Sequence, residues 1–299
     1  MPFCALRRLL PLLVLLSACL VPKRNGSASV ESNRVNDFAA DDRPLSVDGG
    51  LPPRTFPWPD VARGAVSLTY DDGLVSHVEV VGPSLKKHHL HGTFFITGAS
   101  YGVQQDLERW RELYRAGNEV AAHTMNHPCD GAQSWVQKGF ALQDYDMGRM
   151  QKELTDNIEL LKQLGKRGGP YTFAYPCGMT WLGEKQDSYI DLVQRYFFAA
   201  RGTTSTIVNP DADSFSNLPA VGADKTPDQL VDFVRQVEVD GGWLIIMFHG
   251  VGSEHLSVTV EQHDRLLSYL DRHRRTIWTD TFLQVAQYVA GHRGVANDR

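Results

Sequence analysis

Cysteine is scarce in this 299-residue chain, which holds four, too few for the disulfide scaffold of a small secreted domain. Long basic runs are absent as well, and 30 Lys and Arg are outnumbered by 35 Asp and Glu for a formal charge of −5. A partner gripped by charge, nucleic acid above all, is therefore disfavoured. No internal repeat is visible, and the apolar run Leu9 to Leu16 is too short to span a bilayer. What is present is ordinary: 42% hydrophobic, 22% charged and 10% aromatic residues, close to a soluble globular average. Disorder, collagen and coiled coil are excluded as descriptions of the whole, and the length suffices for a sizeable core.

The N-terminal segment reads as a secretory signal: Arg7 and Arg8, the apolar run, then small Ser17 and Ala18 before Cys19. Leu16-Ser17-Ala18-Cys19 resembles the bacterial lipoprotein box, in which the cysteine is lipidated and becomes the new N-terminus. The resulting expectations are a signal over 1–18, membrane attachment through lipid on Cys19, and export to the cell envelope or beyond, where disulfides persist. Cys4 would be lost with the signal. An ordinary cleaved signal or an uncleaved anchor is the alternative. Residues 19–60 are rich in Ser, Asn, Asp, Gly and Pro without a sustained apolar period and read as a flexible polar tether. One domain is expected over 61–290, followed by a tail over 291–299. Asn25-Gly26-Ser27 matches a glycosylation sequon, a weak sign beside a bacterial type of signal.

Beyond Ala62 short apolar runs alternate with amphipathic stretches. Strands are predicted over 65–70, 92–97, 119–122, 171–175, 196–200, 243–248 and 276–278, and helices over 147–164, 226–239, 258–270 and 280–289. This alternation indicates an α/β domain with a parallel sheet, barrel or open. Asp71-Asp72 follows the first strand, His123 the third, Pro176-Cys177 the fourth, Arg201 the fifth and His249 the sixth. Five strands thus deliver reactive residues to one rim, the place where a parallel barrel keeps its chemistry.

Adjacent carboxylates leaving an apolar strand repel each other unless a cation or hydrogen bonds divide their roles. One can ligate a metal while the other faces a reacting water, and Gly73 lets the chain turn; a plain Asp-Asp-Gly turn is the alternative. His123 and His127, four apart on one face of a helical turn, can share a metal. Two imidazoles and a carboxylate leave positions open for water and substrate, as in a catalytic site. The alternative is two core or capping histidines. His249, at the rim but outside that pair, suits proton donation near neutral pH. His88, His89 and His91 read as solvated and structural, as do His255, His263, His273 and His292, with His255 raised slightly because it follows the His249 loop.

Taken in order, Thr69-Tyr70-Asp71-Asp72-Gly73, His123-Thr124-Met125-Asn126-His127, Tyr175-Pro176-Cys177-Gly178 and Met247-Phe248-His249 resemble the polysaccharide deacetylase family, carbohydrate esterase family 4, over about 62–289. The resemblance implies a distorted (β/α) barrel of about seven parallel strands and metal-dependent removal of acetyl groups from a carbohydrate. By motif position, Asp71 is the implied base, Asp72, His123 and His127 the metal ligands, the Cys177 amide an oxyanion contact and His249 the acid. Tyr175 belongs to the third motif as a supporting residue.

Two departures stand out. Where the family's third motif carries an arginine orienting the base, this chain has Ala174; Arg201 is the candidate substitute. The fourth motif has no clear match, so the partner of His249 is unassigned. Cys129, two residues past His127, and Cys177 are both placed near the metal rim by the motifs, which suggests a disulfide between them. Trp135 and Trp181 follow the second and third motifs and either stack on sugar rings or pack locally. Zinc is the expected cation, with cobalt, nickel or iron(II) also suited to these ligands. The expected partner is an acetylated glycan, N- or O-linked. Alternatives are a same-fold hydrolase of a non-sugar amide and a non-catalytic glycan-binding lipoprotein.

Overall fold

The structure is a computed structural model and describes residues 56–293. The expected signal, Cys19, the tether up to residue 55 and residues 294–299 of the tail lie outside the described residues. The strands are β1 (Gly64–Asp71), β2 (Thr93–Ile96), β3 (Glu119–Ala122), β4 (Thr172–Ala174), β5 (Trp181–Leu182), β6 (Asp187–Ser188), β7 (Ala199–Arg201), β8 (Val221–Gly222), β9 (Trp243–Phe248) and β10 (Ile277–Thr279). The helices are α1 (Gly82–Lys87), α2 (Tyr101–Gln105), α3 (Leu107–Arg115), α4 (Met147–Gln163), α5 (Ile190–Tyr196), α6 (Pro227–Asp240), α7 (Val260–Arg272) and α8 (Phe282–His292). β5 and β6 form a separate antiparallel hairpin. The other eight strands make one parallel sheet in the order β7-β4-β3-β2-β1-β9-β8, with β10 also on β1.

β1 organises this sheet. All eight of its residues are buried, as a strand covered on both faces requires. It pairs with β9 over 65–70, with β2 over 69–71 and with β10 over 64–66, so β2 and β10 share one of its edges. Side chains alternate between the faces. Val66, Leu68 and Tyr70 pack with Leu85, Trp110, Leu154 and Leu266 of the surrounding helices. Ala65 joins Ala121, Ala174, Ala199, Phe95 and Ile245 in a second cluster, closed by Trp58, Trp243 and Phe282. The small residues on this inner face leave room at the strand ends for polar side chains. Between β7 and β8 the chain is irregular, and the bridge of Arg201 to Leu218 ties it to the sheet edge. The curled sheet is the expected distorted barrel.

Some expectations need correction. Tyr196, expected to begin a strand, ends α5, and the strand itself covers Ala199–Arg201. β8 was not expected; it is two residues long, too short for a periodic signal. The folded body also reaches into the segment expected as tether. Phe56 and Trp58 are buried, with Trp58 stacked on Tyr288 of α8 and donating from Nε1 to the Gly241 carbonyl at 2.7 Å.

Candidate active site

The expected residues meet at the C-terminal ends of the parallel strands. Asp71 is the last residue of β1, and Asp72 lies just beyond it with φ 78°. Gly73 follows at φ 70°, where a Cβ would stand 2.5 Å from Val103 Cγ2. The chain therefore turns away from the sheet immediately after Asp71, and the two carboxylates point to different partners.

Asp71 is buried against Arg201, whose Nη2 donates to both carboxylate oxygens, to Oδ2 at 2.6 Å. The guanidinium crosses the inner face over Phe95, at 5.1 Å, and its Nη1 donates to the Gly202 carbonyl at 3.1 Å. Parallel pairing puts Arg201 in register with Ala174. The guanidinium absent from the motif position thus comes from the neighbouring strand, and the small side chain of Ala174 leaves it space. Burial pushes the Asp71 carboxyl up, but Arg201, His123 and His249 outweigh it and hold the group below the usual carboxylate range.

Asp72 faces the histidine pair. Its Oδ1 lies 3.4 Å from His123 Nε2 and 3.3 Å from His127 Nε2, and it is buried without a hydrogen bond. These three donor atoms lie within 4.8 Å of one another. His123 Nδ1 sits 2.8 Å from the Ala174 carbonyl. A carbonyl can only accept, so Nδ1 carries a proton and Nε2 is the nitrogen that offers a lone pair when the imidazole is neutral. Burial lowers the His123 pKa, but Asp72 and Asp71 outweigh it and raise it, and a cation at this site would take the place of the Nε2 proton. A convergent imidazole pair, an orphaned buried carboxylate oxygen and a fixed tautomer fit a divalent cation with open positions. Burial pushes Asp72 up, but its contacts with His123 and His255 and the charge of His127 hold it well below the carboxylate range. Burial and then His123 bring His127 down to about 4, keeping it neutral as a ligand must be. The sulfurs of Cys129 and Cys177 also approach His127, but they are joined in a disulfide with Cα atoms 6.0 Å apart, so neither is a thiolate donor.

The histidine segment is not the expected helical turn. Thr124 and His127 have φ 63° and 51°, and the segment is an irregular turn clamped by α4. Glu153 Oε2 accepts from the Met125 and Asn126 amides, both at 2.9 Å, while its Oε1 accepts from Asn126 Nδ2 and the Tyr145 hydroxyl. Asn157 Oδ1 accepts from the His123 amide at 3.1 Å, and its Nδ2 donates to the carbonyls of Ile96 and Thr124. The sequence reading missed both residues. Their signal was present: 150, 153, 154, 157, 158, 160 and 161 are the buried positions of α4, and two of these seven are polar.

His249 lies half-buried beyond β9. Burial lowers its pKa, with Asp71 and Asp72 pulling the other way. Its backbone is held by His77, also missed: His77 Nε2 donates to the His249 carbonyl at 3.0 Å while Nδ1 accepts from the Leu74 amide. His77 is fully buried, and burial brings its pKa down to about 4. Tyr175 is buried and its hydroxyl donates to the Ser216 carbonyl, holding the 204–220 segment rather than reaching the carboxylates. Cys177 sits at φ 55° in a tight turn at 176–178 after β4. Trp135 is 56% exposed, its ring 6.0 Å from that of His127, whereas Trp181 is half-buried in the hairpin.

Three histidines expected to be peripheral are placed otherwise. His255 Nε2 lies 2.7 Å from Asp72 Oδ2. His263 is buried against the Tyr70 hydroxyl, and His88 is largely buried beside Asp264, so neither is solvated.

Residues 59–192 match the family model described as polysaccharide deacetylase. A curated relative, YxkH of Bacillus subtilis, described as a candidate polysaccharide deacetylase, is 33% identical over 64 residues, which is 21% of this chain and 23% of that protein. The matched region thus spans about a quarter of the relative. Among solved structures, a candidate polysaccharide deacetylase from Mycobacterium smegmatis is 17% identical with a TM-score of 0.53, covering 81% of this chain and 95% of that one. A mutant of a CE4 family pseudoenzyme from Bacillus anthracis, with restored enzymatic activity, is 16% identical with a TM-score of 0.50, covering 74% and 67%. At such identities the solved structures establish the fold.

Proposed function

We propose that this chain is a member of the polysaccharide deacetylase family, whose model matches residues 59–192, and that it hydrolyses acetyl groups from an acetylated glycan, using a divalent cation held by Asp72, His123 and His127. The observation that carries this reading is one rim where the orphaned Oδ1 of Asp72 meets two imidazoles beside the buried Asp71–Arg201 pair and His249. Zinc is the first choice of cation on ligand chemistry, with cobalt, nickel and iron(II) as alternatives. When bound, such a cation supplies Lewis-acid polarisation of a carbonyl oxygen and acidifies water.

The protein groups divide the remaining work. A carboxylate offers about four lone-pair positions. Arg201 occupies part of those on Asp71 and fixes its orientation, leaving others to accept the proton of an attacking water. The Cys177 amide donates to the acetyl oxygen as it gains charge. His249 delivers a proton to the departing sugar nitrogen or oxygen, and acetate leaves with the deacetylated sugar. Trp135, exposed beside His127, offers an aromatic face to a sugar ring. The leader pattern and Cys19 support action outside the cytoplasm on a lipid anchor; Cys19→Ser should then release the protein from the membrane fraction.

Acetate release from a panel of N- and O-acetylated glycans, with and without chelator, tests the reaction. Wild type should lose activity to chelator, and Asp71→Asn should be nearly inert. Chelator-resistant release, or an unimpaired Asp71→Asn, overturns the reading.

A further inference from the structure

His255 stands outside the four motifs, yet it makes the shortest contact of the Asp72 carboxylate. Its Nε2 is 2.7 Å from Asp72 Oδ2, the oxygen turned away from the histidine pair, while Oδ1 is left for the cation. An ionised carboxylate only accepts, so Nε2 carries the hydrogen of this bond.

The backbone around His255 is arranged to make that contact. Glu254 and Leu256, on either side of it, have φ 72° and 46°, in a region costly for non-glycine residues. Glu254 holds the loop against the segment after Gly73: its Oε1 accepts from the Val75 amide at 2.9 Å, and its Oε2 from the Ser76 amide and hydroxyl at 3.1 and 2.6 Å. The Ser76 hydroxyl also accepts from the Val251 amide, and the Gly250 amide donates to the His255 carbonyl. The loop leaving His249 is thereby tied at both ends to the turn that carries Asp72.

We propose that His255 is a positioning residue for the cation site. It holds Asp72 Oδ2 so that Oδ1 stays aimed between His123 and His127. This inference rests on the reading of those three residues as cation ligands, and it adds a role for a fourth that does not ligate. Outer partners of this kind typically change metal affinity 10- to 100-fold. The His255 side chain is 54% exposed, and exposed pairs contribute little to folding. Its removal should therefore weaken the site and leave the fold intact.

The test titrates zinc against a chromophoric chelator in the wild-type protein and in Asp72→Asn, His123→Ala, His255→Ala and His255→Gln, with thermal melts of the metal-free proteins. Expected are strong binding by wild type, loss of the site in Asp72→Asn and His123→Ala, a roughly 10- to 100-fold weakening in His255→Ala, and recovery in His255→Gln, whose amide can still donate. The melts of both His255 variants should match wild type. Unchanged affinity in His255→Ala, or a failure of Gln to rescue, overturns the positioning role alone. Loss as complete as in His123→Ala with no rescue makes His255 a ligand, which also overturns it. If Asp72→Asn binds as wild type does, the cation-site reading falls, and this inference with it.

Discussion

At the scale of single residues, the Asp71–Arg201 pair is the most consequential contact in the molecule. Both partners are buried, so removing one strands the charge of the other, at a cost of about 3–5 kcal/mol. Arg201→Met should lose about that much in chemical denaturation, and the double variant Arg201→Met/Asp71→Asn should recover most of it. Arg201→Lys keeps the charge without the planar fork. It should fold and release acetate more slowly, with KM for the glycan little changed. Arg201 was legible as a candidate because it ends an apolar run near the other rim residues. Its partnership with Asp71 was not legible, because the register of Arg201 beside Ala174 is a property of strand pairing.

At the scale of elements, α4 is both a packing helix and the clamp on the histidine turn. Its apolar spacing foretold its span to within a residue, and the structure adds that Glu153 and Asn157 are buried on the same face. The amides of Met125 and Asn126 need acceptors in a turn whose own residues adopt positive φ, and Glu153 supplies them. Glu153→Gln exchanges one of two accepting oxygens for a donor. It should cost about 1–3 kcal/mol in unfolding free energy and weaken zinc binding about 10-fold, read by chelator competition. A helical His123–His127 turn was expected from four-residue spacing alone. Spacing cannot distinguish a helix from a turn whose hydrogen bonds go to another element.

At the scale of the whole molecule, two features link distant segments to stability. The Cys129–Cys177 disulfide closes a sequence separation of 48. By loop-closure entropy, Cys129→Ser/Cys177→Ser should be about 4 kcal/mol less stable. Thiol labelling of the denatured wild type, mapped by peptide mass, should find neither cysteine reactive. The second feature is a pair of buried neutral histidines. Burial lowers His77 to about 4 and His263 to about 3, against 6.5 for an ordinary imidazole. The unfolded chain therefore takes up protons first as pH falls. The stability tied to these groups is complete above pH 6.5, declines below it and is exhausted near 4 for His77 and near 3 for His263. Denaturation midpoints of the metal-free protein should fall over that window, and His77→Gln should flatten part of the decline.

The order of apolar runs, and the reactive residues that end them, pointed from sequence alone to an α/β domain with a parallel sheet and its candidate site at one rim, and the resemblance of the four motifs singled out the barrel over an open sheet. That follows because strand burial and strand-end placement are local properties of the chain. Which residues meet across the rim was decided by the tertiary structure. Arg201 reaches Asp71 across 130 positions and His255 reaches Asp72 across 183, while Glu153 caps a turn it neither begins nor ends. Such pairings depend on register, on the room left by small residues such as Ala174, and on backbone angles held by hydrogen bonds from elsewhere. These are relations between segments, and linear spacing does not encode them.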